Sequence, residues 1–350
     1  MLDGRLALLA MACFGLLVPG LSPASPAEYT ITRIAAPGAT YTAALAINER
    51  GQVAGYATMP DGTRTAYVYT AGAFTFADMP AAEYLWVSDI DEDGNIVGTY
   101  NLPPDSYERA RAFAWIDGVF SDLGDLGIDD DARATAMDRH GVVFGTSGSH
   151  VFAWRDGRMR DLGAWGDSFD DEEHDVTVVT DVNAQGAGVG YALDFGRRTI
   201  AFVAERGRRT KLPNTLGGEH VRAYAINDHG TICGWAYTAN GRYHAFRYEN
   251  GGMTDLGILP DGPHSEARAI NDAGDVVGFS GTTRGERAFI ARAGSTQMED
   301  LNVAADAKPQ KWILMYAWGI NDRGEIVGSG NQGGYLLTPV RGAGRALGED

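Results

Sequence analysis

The residues of this chain that could bind a metal begin with acidic side chains at calcium-loop spacing. The stretch DIDEDG places Asp89, Asp91 and Asp93 at alternate positions before a glycine, as in the first half of an EF-hand loop. The twelfth position counted from Asp89 is Tyr100 instead of the bidentate glutamate that such a loop needs. The alternative is an ordinary hairpin turn, so the three aspartates are candidates for a metal site and no more.

Two further acidic segments have the oxygen-rich composition that calcium prefers. They are AWGDSFDDEEHD at residues 164–175 and the three aspartates at residues 129–131. Runs of like charge also occur simply as solvated surface, and that alternative stays open for both segments. Calcium is therefore the one cofactor that the composition admits, and no cofactor is required by any motif.

The patterns that usually mark catalysis do not occur in the sequence. There is no G-x-S-x-G nucleophile motif, and none of the seven histidines pairs with another as H-x-x-x-H. Cys233 lies in an apolar run, where a buried, unreactive thiol is the expected state. The sequence therefore predicts no catalytic residue.

One sequence pattern recurs along the whole chain and predicts its architecture. The words AINDHGTICGW, AINDAGDVVGF and GINDRGEIVGS are three of seven copies of one pattern, each with a first glycine and a second glycine four residues later. The first glycines are Gly51, Gly94, Gly141, Gly186, Gly230, Gly274 and Gly324. Periods of about 40–50 residues are typical of four-stranded propeller blades.

Each copy also carries a second phrase, as in RAFAWIDGVFSDLG, HVFAWRDGRMRDLG and HAFRYENGGMTDLG. Together the two phrases resemble the HAF-repeat family of predicted extracellular proteins, over essentially the whole chain after its first 27 residues. The resemblance implies export and a repeated β structure. It brings no established reaction and no catalytic residue that could be transferred to this chain.

The first phrase has the chemistry of a tight hairpin. Asn227 and Gly230 occupy the first and fourth positions of a four-residue word between two apolar runs. Asn or Asp at the first position accepts hydrogen bonds from the backbone ahead of it, and Gly at the fourth tolerates positive φ. Each repeat is therefore predicted to make a type I turn with a bulge between its first two strands.

These observations predict an all-β fold, a seven-bladed β-propeller with four antiparallel strands per blade. The last copy lacks a fourth strand, and EYTITRIAAPG near the start of the chain has the alternation to supply it and close the ring. The turns between strands one and two and between strands three and four are nearly constant. The other connections vary in length and share the opposite face, the variable-loop face, where function in such folds usually lies.

If the first strand of each blade is innermost, the residue five before the turn Asn or Asp lies near the channel mouth on the variable-loop face. We call this set the mouth ring: Ala43, Trp86, Arg133, Val178, Arg222, Glu266 and Tyr316. Its polar and aromatic members, Trp86, Arg133, Arg222, Glu266 and Tyr316, are the candidate ligand-binding residues. They suit a polar or anionic small molecule or a glycan, and the alternative is that they merely fill a structural channel.

The ends of the chain and its charge limit the possible partners. Residues 1–27 combine Arg5, an apolar run and Ser-Pro-Ala, which predicts a secretory signal peptide, followed by the propeller at 28–340 and a tail at 341–350. A net charge of −17 argues against nucleic acid, and no later segment has the length of a membrane span. Beyond the leader, Cys233 is the one cysteine, so packing and not a disulfide must stabilise the fold.

Three functions of different class follow. The first is a secreted or periplasmic, monomeric, non-catalytic propeller that binds an extracellular ligand, glycan or protein with its variable-loop face. The second is a propeller hydrolase or lyase that acts at the channel mouth on a polysaccharide or other extracellular polar substrate, with calcium as an optional cofactor. The third is a purely structural protein of the cell envelope.

Overall fold

The computed structural model describes residues 28–102, 109–128, 131–163, 174–194, 198–205 and 208–340 as seven four-stranded antiparallel sheets. The proposed signal peptide, the tail and most of the acidic segment 164–175 lie outside these residues. The seven sheets confirm the seven-bladed propeller, and blades are numbered here in order of their turns. The first strand of each blade lines a central channel.

The strands follow one another within each blade. The N-terminal strand is β1 (Tyr29–Ile34). Blade one contains β2 (Tyr41–Ile47), β3 (Val53–Thr58), β4 (Arg64–Thr70) and β5 (Ala73–Phe76), and blade two contains β6 (Tyr84–Ile90), β7 (Ile96–Asn101), β8 (Arg111–Ile116) and β9 (Val119–Gly124). Blade three contains β10 (Ala132–Met137), β11 (Val143–Ser147), β12 (His150–Arg155) and β13 (Arg158–Gly163).

The remaining blades repeat this order with one addition. Blade four contains β14 (His174–Val182), β15 (Gly188–Asp194), β16 (Thr199–Glu205) and β17 (Arg208–Lys211), and blade five contains β18 (Gly217–Ile226), β19 (Ile232–Thr238), β20 (Tyr243–Glu249) and β21 (Gly252–Asp255). Blade six contains β22 (Ser265–Ile270), β23 (Val276–Ser280), β24 (Arg287–Ala291), the short β25 (Glu299–Asp300) and the helix α1 (Leu301–Ala304). Blade seven contains β26 (Leu314–Ile320), β27 (Ile326–Gly330) and β28 (Gly333–Pro339).

The N-terminal strand closes the ring, as the sequence predicts. Strand β1 pairs antiparallel with β28 along its whole length, from Tyr29 opposite Pro339 to Ile34 opposite Gly334. It is thus the outer strand of blade seven, whose other three strands come from the far end of the chain. Both ends of the repeat array are therefore held in one sheet, which leaves no blade incomplete.

The turn at the end of each first strand is the predicted four-residue hairpin. In blade five the amide of Gly230 donates to the carbonyl of Asn227 at 3.0 Å, and the Asn227 side chain accepts from Thr231 at 2.8 Å. All seven turn glycines have positive φ, between 72° and 86°. A residue with a Cβ is strained in this conformation, which explains the repeated glycine.

The second glycine of the motif serves close packing instead of positive φ. A Cβ at Gly234 would overlap the carbonyl oxygen of Arg222 on the neighbouring strand, and the equivalent glycine of every other blade meets the equivalent carbonyl. The aromatic residue of the H-A-F phrase lies directly opposite, as Phe246 does across from Gly234. These aromatic rings are fully buried and form the centre of each blade: Tyr67, Phe113, Phe152, Phe202, Phe246, Phe289 and Tyr335.

The Asn of the turn also joins one blade to the next. The side-chain amide of Asn183 donates to the carbonyl of Asn227 at 3.0 Å, and corresponding bonds link blades four to five, five to six, six to seven, seven to one and one to two. A parallel set runs through the next residue, where the amide of Asp228 donates to the carboxylate of Asp272 at 2.8 Å. The I-N-D motif thus forms a circumferential chain of hydrogen bonds on the constant-turn face.

The chain is interrupted at the seams of blade three with blades two and four, because Asp91 of blade two lacks the amide donor and Ala184 of blade four lacks a carboxylate. Asp138 replaces the turn Asn and has no side-chain donor, and Arg139 replaces the following carboxylate. Between blades two and three, Ser88 donates to the carbonyl of Ala134 at 2.9 Å and the Asp89 carboxylate accepts from the Met137 amide at 2.8 Å, and Thr180 and Asp181 make the equivalent bonds between blades four and five. Among the described residues, the seam between blades three and four has neither set of I-N-D hydrogen bonds.

The H-A-F and D-L-G phrases are linked by a polar side-chain contact on the sheet surface. His244 at the start of β20 contacts Asp255 at 3.0 Å, His150 contacts Asp161 at 2.9 Å, and Arg111 takes the same place opposite Asp122. The same Asp255 carboxylate also accepts from the amide of Gly257 at 2.7 Å. These histidines are therefore occupied in holding the third strand to the fourth.

Cys233 is buried in β19, and burial raises the pKa of its thiol far above the usual range, as expected for an unreactive cysteine. In the described part of the chain, no helix has the length and apolar character to span a membrane.

Candidate functional site

The candidate site is the central channel, and one level of its wall is formed by residues that the sequence analysis did not select. The residue three before the turn Asn or Asp is the extra residue of a β-bulge in the first strand, as at Thr135, which falls between the paired residues Ala134 and Ala136. We call these seven residues the waist ring: Leu45, Ser88, Thr135, Thr180, Tyr224, Arg268 and Trp318.

The waist ring separates two cavities. The cavity toward the variable-loop face has a volume of about 210 Å³ and is bounded by the waist ring and Trp86 of the mouth ring. The cavity toward the constant turns has a volume of about 240 Å³ and includes Asp89 and Asp181 in its wall. The first cavity is open to the variable-loop face, so it is the one that a ligand from that side would enter.

Three members of the mouth ring converge on two waist residues. The rings of Trp86 and Tyr316 contact the ring of Trp318, with centroids 5.4 and 5.2 Å apart. The Glu266 carboxylate binds the Arg268 guanidinium at 2.6 Å. Arg268 in turn lies over the Trp318 ring, 5.4 Å from its centroid. Trp86, Glu266 and Tyr316 therefore belong to one cluster at the channel mouth.

Glu266 is largely buried and surrounded by charged side chains. Burial raises the pKa of Glu266, and the nearby Arg268, His264 and Arg222 oppose that rise. Glu286, from the variable connection before β24, adds a second carboxylate that raises the pKa further. One Glu286 oxygen contacts His264 Nε2 at 3.4 Å, whereas Oε2 is buried with no hydrogen-bond partner among the described residues.

The two arginines of the mouth ring differ in their surroundings. Arg222 lies over the rings of Tyr191 and Trp235, 4.5 and 5.3 Å from their centroids. Its Nε is buried without a hydrogen-bond partner, and it forms no ion pair with any residue of the described ranges. Arg133, in contrast, points to Asp131 and pairs with it at 3.1 Å. Among the described residues, Arg222 is thus the mouth-ring arginine that has no ion pair.

The three aspartates of DIDEDG face different partners, which favours the hairpin alternative. Asp89 accepts from the amides of Ile90 and Met137 in the channel wall, and Asp91 caps its own turn by accepting from the amide of Asn95. Asp93 is exposed and pairs with Arg50 of blade one at 3.4 Å. No group of three or more potential metal ligands occurs among the residues that the structure describes.

The waist ring could have been found by the same alignment that located the mouth ring. Its position changes in type from blade to blade, from serine and threonine to tyrosine, arginine and tryptophan, while the residues on either side are mostly small. Strict alternation along the strand does not predict which way the waist-ring residue points, because that residue is the extra one inserted by the β-bulge.

The comparisons with known proteins reveal the fold and no family. No family model and no curated protein matches the chain. Similar solved structures include a chain of the mitotic checkpoint complex, with TM-score 0.54, 14% identity and coverage of 94% of this chain and 99% of that one. YCF48 bound to D1 peptide gives TM-score 0.53 and 12% identity, covering 89% of this chain and 97% of that one.

A third similar structure is a puromycin-hydrolyzing peptidase of Mycobacterium tuberculosis, with TM-score 0.54 and 13% identity. The similarity covers 91% of this chain but 55% of the peptidase, so this chain corresponds to about half of that enzyme. At these identities the three structures share the propeller fold with this chain, and the fold by itself carries many functions.

Proposed function

We propose that this protein is an exported, non-catalytic binding propeller of the HAF-repeat type, and that it takes a ligand with an anionic group at its channel mouth. The observation that carries the proposal is the state of Arg222: its guanidinium lies over two aromatic rings and, among the described residues, forms no ion pair. Export rests on the leader pattern of residues 1–27, and cleavage after Ala27 can be checked by N-terminal sequencing of the secreted chain.

The geometry around Arg222 favours a planar anion. The Arg222 Cζ lies 4.5 and 5.3 Å from the ring centroids of Tyr191 and Trp235, and a guanidinium stacked on aromatic rings can still donate hydrogen bonds in its own plane. A carboxylate accepts two such bonds side by side, and a charge-assisted pair of this kind is stronger than a neutral hydrogen bond. Leaving a buried donor such as Nε unpaired costs about 1–3 kcal/mol, which a bound carboxylate would recover.

The partner class that fits is an extracellular glycan or small molecule bearing a carboxylate. The mouth supplies apolar ring faces from Trp86, Tyr316 and Trp318, and aromatic pockets with few polar groups are typical of ligand sites. A protein or peptide partner is the alternative, since similar propellers include one solved with a bound peptide. We propose no nucleic-acid partner and a monomeric state.

The test is calorimetric titration of residues 28–350 with glucuronate, using glucose as the neutral control. We expect binding of glucuronate alone and at least a tenfold weaker affinity for Arg222→Gln. Arg133→Gln is the matched control from the same ring, because Asp131 already neutralises that arginine, and its affinity should equal that of the wild type. Equal glucuronate binding by wild type and Arg222→Gln would remove Arg222 from the site.

A hydrolase or lyase at the same mouth is the second candidate, and the Glu266 and Glu286 carboxylates favour it. A raised pKa on one of two neighbouring carboxyl groups is the usual arrangement for acid and base roles in glycoside cleavage. Incubation of acidic polysaccharides with the wild type and with Glu266→Gln, with and without EDTA, decides between the candidates. Release of reducing ends or unsaturated products by the wild type alone would establish the enzyme.

A further inference from the structure

A second arginine on the variable-loop face is held in the same way as Arg222. Arg64, the first residue of β4, lies over the ring of Tyr56 from its own blade and the ring of Tyr84 from blade two, 4.7 and 5.8 Å from their centroids. Its guanidinium forms no ion pair within the described ranges. Two arginines that lie over aromatic rings, and that form no ion pair among the described residues, are therefore found at the seam of blades one and two and at the seam of blades four and five.

Aromatic rings connect the two arginines around the mouth. From Arg222 the path runs through Trp235, Tyr243 and His264, with ring centroids 5.2 and 4.8 Å apart. It continues through Phe279 and Trp318 to Trp86, with centroid distances of 6.5, 6.2 and 5.4 Å. Trp86 packs on the same apolar cluster as Tyr56, the ring beneath Arg64. Ring faces of this kind pack against the C–H faces of sugars.

The carboxylates along this path indicate which chemical groups of a ligand can lie between Arg222 and Arg64. Glu266 and Glu286 would repel a densely charged polyanion at the centre of the mouth. The buried, unpartnered Oε2 of Glu286 needs a hydrogen-bond donor, which a sugar hydroxyl supplies. A ligand that fits therefore alternates, with anionic units at the arginines and neutral, hydroxyl-bearing units beside the glutamates and aromatic rings.

We propose that the mouth binds an acidic oligosaccharide in which uronic acid units alternate with neutral sugars, with one carboxylate at Arg222 and a second at Arg64. This proposal rests on the anion site at Arg222 and extends it across the channel. Two contacts on one ligand act together, because the second forms at the high effective concentration that the first creates. The protein would then select ligands by length as well as by charge.

The experiment measures affinity against length. Hyaluronan oligosaccharides of increasing even length alternate glucuronate with N-acetylglucosamine, and chito-oligosaccharides of the same lengths are matched neutral controls. We expect the shortest acidic oligomer to bind through Arg222, and affinity to rise at least tenfold at the length that reaches Arg64. Arg64→Gln should abolish that rise and leave the shortest oligomer unchanged, and Arg64→Lys should recover part of it, since the charge remains and the flat fork is lost.

The outcomes separate the two proposals. Affinity for acidic oligomers that is independent of length, or a length effect that Arg64→Gln keeps, overturns the two-point site and leaves the Arg222 site intact. Failure of every acidic oligomer to bind, or equal binding of chito-oligosaccharides, overturns both. Tighter binding of oligo(dT) or poly-glutamate than of hyaluronan oligomers overturns the glycan assignment and indicates a nucleic-acid or acidic-protein partner. Melting curves of the Arg64 variants verify that each is folded.

Discussion

The side-chain amide of Asn227 donates a hydrogen bond to the carbonyl oxygen of Asn271, 3.0 Å away in the next blade. Asn227→Asp keeps the oxygen that caps its own turn and removes this donor, so we expect the free energy of unfolding to fall by about 1 kcal/mol. Asp138→Asn makes the opposite change in blade three and should stabilise by a similar amount. Urea denaturation measures both, and shifts of the same sign would show that the bonds between blades contribute nothing.

Substitutions of the two glycines of the motif should destabilise the protein for different reasons. Gly230→Val imposes positive φ on a branched residue in open space and should cost more than about 1 kcal/mol. Gly234→Ala forces a Cβ against the Arg222 carbonyl and should cost about 3 kcal/mol. Gly252→Ala, whose Cβ would lie 3.8 Å from the nearest atom, is the control and should be near neutral. Thermal melts give the order, and a Gly234→Ala protein as stable as the control would contradict the close approach.

Deleting residues 28–36 should lower the melting midpoint and promote aggregation. The deletion removes β1, exposes the edge of β28 and discards Tyr29 and Ile34, which are 3% and 1% exposed. A synthetic peptide of residues 28–36 should restore the midpoint in a dose-dependent way, whereas a scrambled peptide should not. An unchanged midpoint in the deleted chain would mean that closure by β1 is energetically unimportant.

Stability should depend on pH through Asp181. Burial raises the pKa of Asp181 to about 7, and the Asp89 carboxylate adds to the rise. An unfolded aspartate ionises near pH 3.9, so between about pH 4 and 7 the folded state holds the proton more tightly, and its stability falls as the pH rises. Between about pH 4 and 7, the free energy of unfolding of the wild type should fall by about 1 kcal/mol or more relative to that of Asp181→Ala. A difference in unfolding free energy that stays constant with pH would contradict the assignment.

The sequence predicted the hairpins because their chemistry is local. Asn227 and Gly230 are three residues apart, and general turn preferences link such residues to a conformation without any tertiary information. The role of the same Asn in joining blades was missed, because its partner Asn271 is 44 residues away and only the closed ring brings them together. The pairing of His244 with Asp255 was missed for the related reason that strand register fixes it.

Part of the geometry of the candidate site follows from the sequence. Counting back five residues located Trp86, Arg222, Glu266 and Tyr316 near the mouth, because a constant motif fixes that distance in every blade. Arg268 and Trp318, which join them, depend on the bulge, and the separation of Arg133 from Arg222 depends on the side chain of Asp131. Such choices among neighbouring side chains are made by packing, and single-sequence periodicity carries no information on them.

Closure of the ring by β1 also makes the propeller suitable for circular permutation. The amide of Val340 donates to the carbonyl of Glu28 at 2.8 Å, so the two ends of the propeller meet at the rim of blade seven. A short peptide linker between residues 28 and 340 would therefore join them without disturbing a blade, and new termini could be opened in a loop elsewhere. A series of such circular permutants would place the chain termini at each seam between blades in turn. A reporter fused to the new termini would then lie beside the mouth, with the order of blades around the channel unchanged.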